Sequence, residues 1–541
     1  MKNLTMKKAL SLVAVSSLLS LTVVSIPTVA RAADPACTTA NYVTSCVGVT
    51  SDTAPYSMMV PANFNGTVYL YNHGYRPNIN VAQGIPGYGG YVVNNTPQPG
   101  PDATVIGALL AKGYGVMGSG FARQGWNADS GVKTDVELIG LFKKQFTATK
   151  KVIAWGHSLG GFITQALAEQ YPDLISAAAP MCMAGNVGPI STMAGDALWG
   201  LKTFFDPTIK GGNYSAGVAG VVEANQDLAK VFTVIGSLQA AFAANPSMPA
   251  WPATSKVPDA MKAAIPSRSA LVLVALMAGV PLQSAHFDST SAPSILPAAS
   301  QTSFQLAINP AFAALENIAN AAALAVLATH DLENQAGGVY FDNSTTDYSA
   351  RLGDDAFVWT SALSGNTAIA TMLGYLAAAP RSVANPAAVA KLDTLTKHTG
   401  KISVPTVLFT GVADPVTVAG NTQWIADKYA AQWAAQWAAN KAARNPKRPT
   451  NLLLTIWNFT PSKYTVYTAA GAPDTTVPAA TGTNHCNFTY SQTMAVADLL
   501  AYASENGSHL AGGALNTKLR KAGNMTIDKD FHAPLLKTAT N

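Results

Sequence analysis

The stretch Lys151-Val152-Ile153-Ala154-Trp155-Gly156-His157-Ser158-Leu159-Gly160-Gly161 decides how this chain is read. Val152–Trp155 is a short, wholly apolar run, the pattern of a strand buried on both faces. It enters a glycine, and after Ser158 the period changes. Leu159, Phe162, Ile163, Ala166 and Leu167 recur at helical spacing until Tyr171-Pro172 ends the helix. A strand that becomes a helix across Gly-x-Ser-x-Gly holds its serine on a sharp turn with the hydroxyl exposed. Gly156 and Gly160 let neighbouring backbone pass where a Cβ would clash. The start of the helix offers unpaired N–H groups to a developing negative charge. Ser158 is therefore a candidate nucleophile.

The alternation continues outward. Thr67–Asn72, Gly113–Gly120, Ile175–Met181, Val404–Gly411 and Asn451–Phe459 read as strands. Asp135–Phe146, Gly420–Ala443 and Tyr490–Ala503 read as helices, the second holding the near-duplication Ala-Ala-Gln-Trp at 430–433 and 434–437. Strands alternating with helices predict a mostly parallel sheet flanked by helices on both faces. Residues 184–400 differ: they are Ala-rich, helical in pattern and broken near Pro246–Pro258 and Pro293–Pro297.

Gly156-His157-Ser158-Leu159-Gly160-Gly161 within this alternation resembles the α/β-hydrolase superfamily, in particular its secreted serine esterases and lipases. The resemblance covers about 65–183 and 401–505. It implies an α/β-hydrolase fold and a nucleophile, an acid and a histidine in that chain order. Asp414 follows the strand Val404–Gly411 in Asp414-Pro415-Val416-Thr417, where the superfamily carries its acid; Asp393 and Asp474 end no strand. His485 lies between the last strand and the last helix, the position of the general base. The other histidines fit less well: His157 sits inside the turn, His286, His330 and His398 in or beside the helical stretch, and His509 and His532 lie in the tail and are expected to be solvated surface residues. His73-Gly74-Tyr75 resembles the superfamily's oxyanion loop, so the backbone N–H groups of Tyr75 and Leu159 are the expected oxyanion donors. Residues 184–400, inserted before the acid-bearing strand, are expected to form a large, mainly helical cap. Its aromatics (Trp199, Phe204, Phe205, Trp251, Phe287, Phe304 and Trp359) are expected to form mostly its own core.

The chain has 541 residues and a formal charge of +5, with 12% charged residues against roughly 25% in average proteins. Lys2, Lys7, Lys8 and Arg31 lie in the first 32 residues, which combine a basic start, an apolar run from Ala9 to about Val29, and Ala30-Arg31-Ala32. This is a secretory leader pattern, with cleavage near Ala32 and a secreted or periplasmic product. Removing its four positive charges leaves +1, so no nucleic-acid partner is expected. No later segment is expected to reach a bilayer span, and no stable membrane anchor is expected. Four cysteines in an exported chain suggest two disulfides with three possible connectivities. Cys37 and Cys46 close a short loop and form the natural first pair, which leaves Cys182 with Cys486. A bridge beside the histidine resembles, in logic, that of the feruloyl esterase and tannase group. Residue 157 is His where that group has Cys, so the assignment is not extended to it.

The expected organisation is a leader (1–32), a first core part (33–183, beginning with an irregular arm), the cap (184–400), a second core part (401–506) and a tail (507–541). The expected activity is cleavage of a small-molecule or polymeric ester with an apolar part, through Ser158, His485 and Asp414, without cofactor or metal. An exported serine peptidase is the main alternative, since the same triad serves both; a cap acidic cluster for a substrate amine would favour it, and Asp354-Asp355 is the sole adjacent acidic pair there. An acyltransferase and a non-catalytic binding protein of the same fold are further alternatives.

Overall fold

The computed structural model describes residues 34–442 and 446–538; the leader expected at 1–32 lies outside them. Nine strands form one sheet in the order β1-β2-β3-β5-β4-β6-β7-β8-β9. The first three are β1 (Ala36–Ala40), β2 (Val43–Val49) and β3 (Pro55–Pro61), paired antiparallel. This corrects the expectation of an irregular arm over 33–65. β1 is hidden because it is Thr-rich and exposed along its whole length, and β2 because most of its residues are only half-buried, with Cys46 alone enclosed. Successive pairing, β2 on β3 and β1 on β2, makes them strands, not an apolar alternation.

The remaining sheet is as the alternation predicts. β4 (Thr67–Asn72) lies between β5 (Gly115–Ser119) and β6 (Lys151–His157), followed by β7 (Ala177–Met181), β8 (Thr406–Gly411) and β9 (Leu453–Asn458), all mutually parallel. Successive residues of β4 and β6 point to opposite faces, and both faces are covered. Tyr69, Tyr71, Ile153 and Trp155 pack under α1 (Ala103–Ala111) and two C-terminal helices. Val68, Leu70, Val152 and Ala154 pack under α2 (Ala128–Gln145) and α3 (Leu159–Gln170). A parallel sheet places every strand's C-terminal end on one edge, so the ends of β4, β6, β7 and β8 converge there.

Between β7 and β8 the described chain is helical: α4 (Val187–Phe204), α5 (Gly217–Ala244), α6 (Asp259–Ala264), α7 (Ser267–Ala278), α8 (Ala298–Ala307), α9 (Asn309–Ala336), α10 (Tyr348–Leu352), α11 (Asp355–Val358), α12 (Asn366–Ala378) and α13 (Pro386–Leu392). Contrary to expectation, two stretches here, Gly217–Ala244 and Ala298–Ala336, are long and apolar enough to cross a membrane. Their apolar positions instead pack within this layer, where α7 is buried along its length and α5 lies against α9. Of the named aromatics, Phe204 and Phe205 pack on Trp251, Trp199 stacks on Tyr348 and Phe287 on Phe312, all within this layer, whereas Phe304 meets Tyr467 outside it.

After β8 come α14 (Ala419–Lys441), α15 (Tyr490–Asn506) and α16 (Gly512–Ala522). The tail packs onto the core. Leu515 and Leu519 of α16 join the core under the sheet, Thr526 bridges to Trp457 beside β9, and Ala533 and Leu536 are buried. His509 is half-buried with Nε2 2.8 Å from the Leu452 carbonyl, a correction to its expected exposure. His532 is exposed, as expected, and pairs with Asp427.

Candidate active site

Ser158 stands between β6 and α3 with φ 59° and ψ −125°, a conformation that L side chains avoid. Its backbone is held on both sides. The Ser158 N–H donates to the Met181 carbonyl at 3.1 Å, and its carbonyl accepts from the Phe162 and Ala184 N–H groups. The two glycines do what the motif requires. A Cβ on Gly160 would lie 1.9 Å from the Asn72 carbonyl oxygen, and one on Gly156 2.5 Å from the Gly160 carbonyl oxygen. The turn therefore closes directly against the end of β4. Gly160→Ala must push these backbones apart, and we expect it to destabilise the protein by about 3 kcal/mol. Thermal unfolding checks this; an unchanged midpoint would show that the turn tolerates a side chain.

Asp414 follows β8 and is buried. Its Oδ1 accepts from the Val416 and Thr417 N–H groups at 2.9 Å, an Asx turn that orients the carboxylate. Its Oδ2 accepts from Thr417 Oγ1 and from the Cys486 N–H, both at 3.0 Å. His485 Nδ1 lies 3.0 Å from Oδ2 and 3.1 Å from Oδ1. The loops carrying the two residues are joined where the Ala413 N–H donates to the Gly482 carbonyl. Thr417 received no role from sequence reasoning. An Asx turn with a hydroxyl at its third following residue was the signal that could have found it.

The structure thus brings His485 and Asp414 into contact and sets Ser158 on the same sheet edge. Among the described residues, no hydrogen bond joins Ser158 to His485. In unliganded sites such contacts are often long and tighten with substrate.

His73-Gly74 passes beside the serine, since a Cβ on Gly74 would sit 3.3 Å from Ser158 Cβ. Among the described residues, neither the Tyr75 nor the Leu159 N–H donates a hydrogen bond. His73 is buried with Nδ1 2.7 Å from the Gly74 carbonyl; burial lowers its pKa to about 4. His157 is likewise lowered to about 4 by burial, with a smaller contribution from His485, and its Nδ1 meets the Tyr71 hydroxyl at 2.9 Å. Both rings are neutral near pH 7. His398 stacks on Phe162, and His286 pairs with Glu316.

Both disulfides are present. Cys37 and Cys46 face each other across β1 and β2, and Cys182 is joined to Cys486. The second bridge ties the residue after His485 to the end of β7. Asn484, Cys486 and Cys182 all have positive φ, so the loop holds an uncommon backbone path. Asp414, His485 and Cys486 are metal-ligating residue types within 4.8 Å, but the Cys486 sulfur is already bonded. If the bridge positions His485, the Cys182→Ala/Cys486→Ala variant should lose about tenfold to 10²-fold in kcat while still folded. Unchanged turnover at full stability would reduce the bridge to a stability role.

An apolar cavity of about 120 Å³ opens at Ser158. Tyr75, Leu159 and Trp126 form its core side; α4 and α9 form its far walls. The Trp126 backbone is fixed from the helical layer, its main-chain N–H donating to buried Asp331 of α9 at 2.6 Å. Burial raises the Asp331 pKa to about 6 against the hydrogen bonds that lower it. The seven aromatics singled out in residues 184–400 do not line this cavity, nor, among the described residues, does any carboxylate. Asp355 instead pairs with Lys537.

A serine on a strand–helix turn, at the C-terminal edge of a sheet in which β4 lies between β5 and β6, decides the architecture. The fold is that of an α/β hydrolase. Beside this hydrolase sheet, β1 is an added edge strand. No protein-family model matches the chain, and no curated protein sequence matches it. Solved structures similar to it include feruloyl esterase B from Aspergillus oryzae, at 10% identity over 86% of this chain and 81% of that one (TM-score 0.32). An esterase from Aspergillus oryzae is also similar, at 10% identity over 77% and 71% (TM-score 0.32). So is the rice cell wall degrading esterase LipA from Xanthomonas oryzae, in a ligand-bound form, at 12% identity over 77% and 83% (TM-score 0.28).

Proposed function

We propose that this protein is an exported serine hydrolase of carboxylic esters, with residues 184–400 acting as a cap over the site. The observation that carries the reading is the convergence at one sheet edge of a serine on a strained turn, a histidine paired with a buried carboxylate, and an apolar cavity opening at that serine. His485 takes the Ser158 proton as Oγ bonds to the carbonyl carbon. The N–H groups of Leu159 and Tyr75 donate to the oxyanion. His485 then gives its proton to the departing alcohol as the C–O bond breaks. Water, deprotonated by His485, attacks the acyl-Ser158 ester and releases the acid with Ser158 reprotonated. Asp414 holds the imidazole tautomer and balances the imidazolium charge. Two disulfides fit an oxidising compartment.

The test pairs the wild-type protein with Ser158→Ala on p-nitrophenyl esters and aminoacyl-p-nitroanilides, with a fluorophosphonate probe. Ester cleavage and labelling lost together in the variant support the reading. Cleavage of the anilides alone would replace it with a peptidase. No labelling of the wild-type protein would leave a binding protein.

A further inference from the structure

We infer that the cavity between α4 and α9 is an acyl-binding slot for a single uncharged aliphatic chain of about eight carbons, and that the alcohol half of the ester lies outside it. This rests on the ester-hydrolase reading and specifies its substrate.

Each wall is one face of a helix. On α9, Ile318, Ala321, Ala322, Ala325, Ala328 and Leu332 line the space, at the spacing of a single stripe. They extend over about 21 Å of helix. On α4, Ile190, Ala194, Ala197 and Leu201 line it over about 16 Å. Alanines face the middle of the slot from both helices, which keeps the space open where larger residues would close it. The cavity of about 120 Å³ holds roughly eight water-sized groups.

The wall offers little to a charge. Among its hydroxyls, Ser191 donates to the Gly188 carbonyl, Thr329 to the Ala325 carbonyl and Thr417 to Asp414. Among the described residues, no Lys, Arg, Asp or Glu lines it. A carboxylate or ammonium placed there loses its hydration without a partner.

The orientation follows from proton delivery. The leaving oxygen must face His485, which supplies its proton. His485 does not line the cavity, whereas Ser158, Leu159 and Tyr75 do. Its side chain is 30% exposed, so the alcohol half meets solvent. The part of the ester that enters the slot is therefore the acyl chain.

Two measurements test this. The first is kcat/KM of the wild-type protein on p-nitrophenyl esters from acetate to palmitate, with the hemisuccinate as a charged chain, and on methyl octanoate against octyl acetate. Expected are a rise of about threefold to fourfold per methylene to around octanoate, a hemisuccinate rate below that of the butyrate, and methyl octanoate cleaved faster than octyl acetate. The second is Ala325→Trp, with Ala197→Phe on the facing helix should the first variant misfold. Either should lower the octanoate-to-acetate ratio at least 30-fold. A flat chain-length profile, or faster cleavage of octyl acetate, overturns the slot; if Ser158→Ala still abolishes that cleavage, the hydrolase reading survives. If no ester of any length is cleaved, both fall together.

Discussion

Ser158→Ala is expected to lower kcat on p-nitrophenyl esters by about 10⁴-fold to 10⁶-fold, with the protein still folded. The size follows from the loss of the covalent route itself. Without Oγ no acyl-enzyme forms, and His485 can only assist direct attack by water. What remains is substrate placement and the oxyanion donors, which survive because the turn is held by its backbone. The Ser158 N–H and carbonyl make three hydrogen bonds that alanine keeps. The residue is nearly enclosed, so the change removes one oxygen without uncovering a large surface. Alanine must still accept φ 59°, which costs a little stability and no geometry. Single-turnover assays and unfolding of the same preparation check both halves. Activity within tenfold of wild type would show that Ser158 is not the nucleophile.

Asp414→Asn is expected to lower kcat by about 10⁴-fold, the effect of presenting the histidine with the wrong tautomer. Here the argument comes from counting donors. The two carboxylate oxygens receive the Val416, Thr417 and Cys486 N–H groups, the Thr417 hydroxyl and His485 Nδ1. An amide has one acceptor oxygen and an NH₂ group. If its oxygen keeps the Asx turn, the NH₂ faces the Cys486 N–H and His485, forcing Nδ1 to accept and placing the proton on Nε2. Nε2 can then no longer take the Ser158 proton. If the amide turns over, the NH₂ opposes two backbone donors and the turn opens. Either outcome lowers kcat more than it changes KM, because substrate contacts are untouched. A pH–rate profile should rise again in alkaline solution, where hydroxide replaces the general base. A loss under tenfold, or a change confined to KM, would remove Asp414 from the role.

The reach of sequence reasoning here follows the range of the interactions involved. The strand–turn–helix at Ser158 is local: an apolar run, two glycines and a helical stripe lie within twenty residues, and each is needed for the turn to close. Asp414 and His485 each lie beside a readable strand or helix, and the resemblance to the superfamily assigned their roles. The edge strands β1 and β2 were hidden because β1 is exposed throughout and β2 is mostly half-buried, so neither shows the clear two-residue alternation that separates strand from loop.

The chain by itself determined the alternation of strands and helices from β4 onward and the candidate nucleophile, while the residues expected to serve it came from the resemblance to the α/β-hydrolase superfamily. The alternation and the serine turn rest on periodicity and glycine geometry, which act over a few residues. Only the tertiary structure decided what the serine faces. Ala194 and Ala325 read as ordinary helix interior, and their opposition across a slot depends on how α4 and α9 dock in the helical layer. That docking is a sum of weak apolar contacts among residues more than a hundred positions apart, which no local pattern encodes.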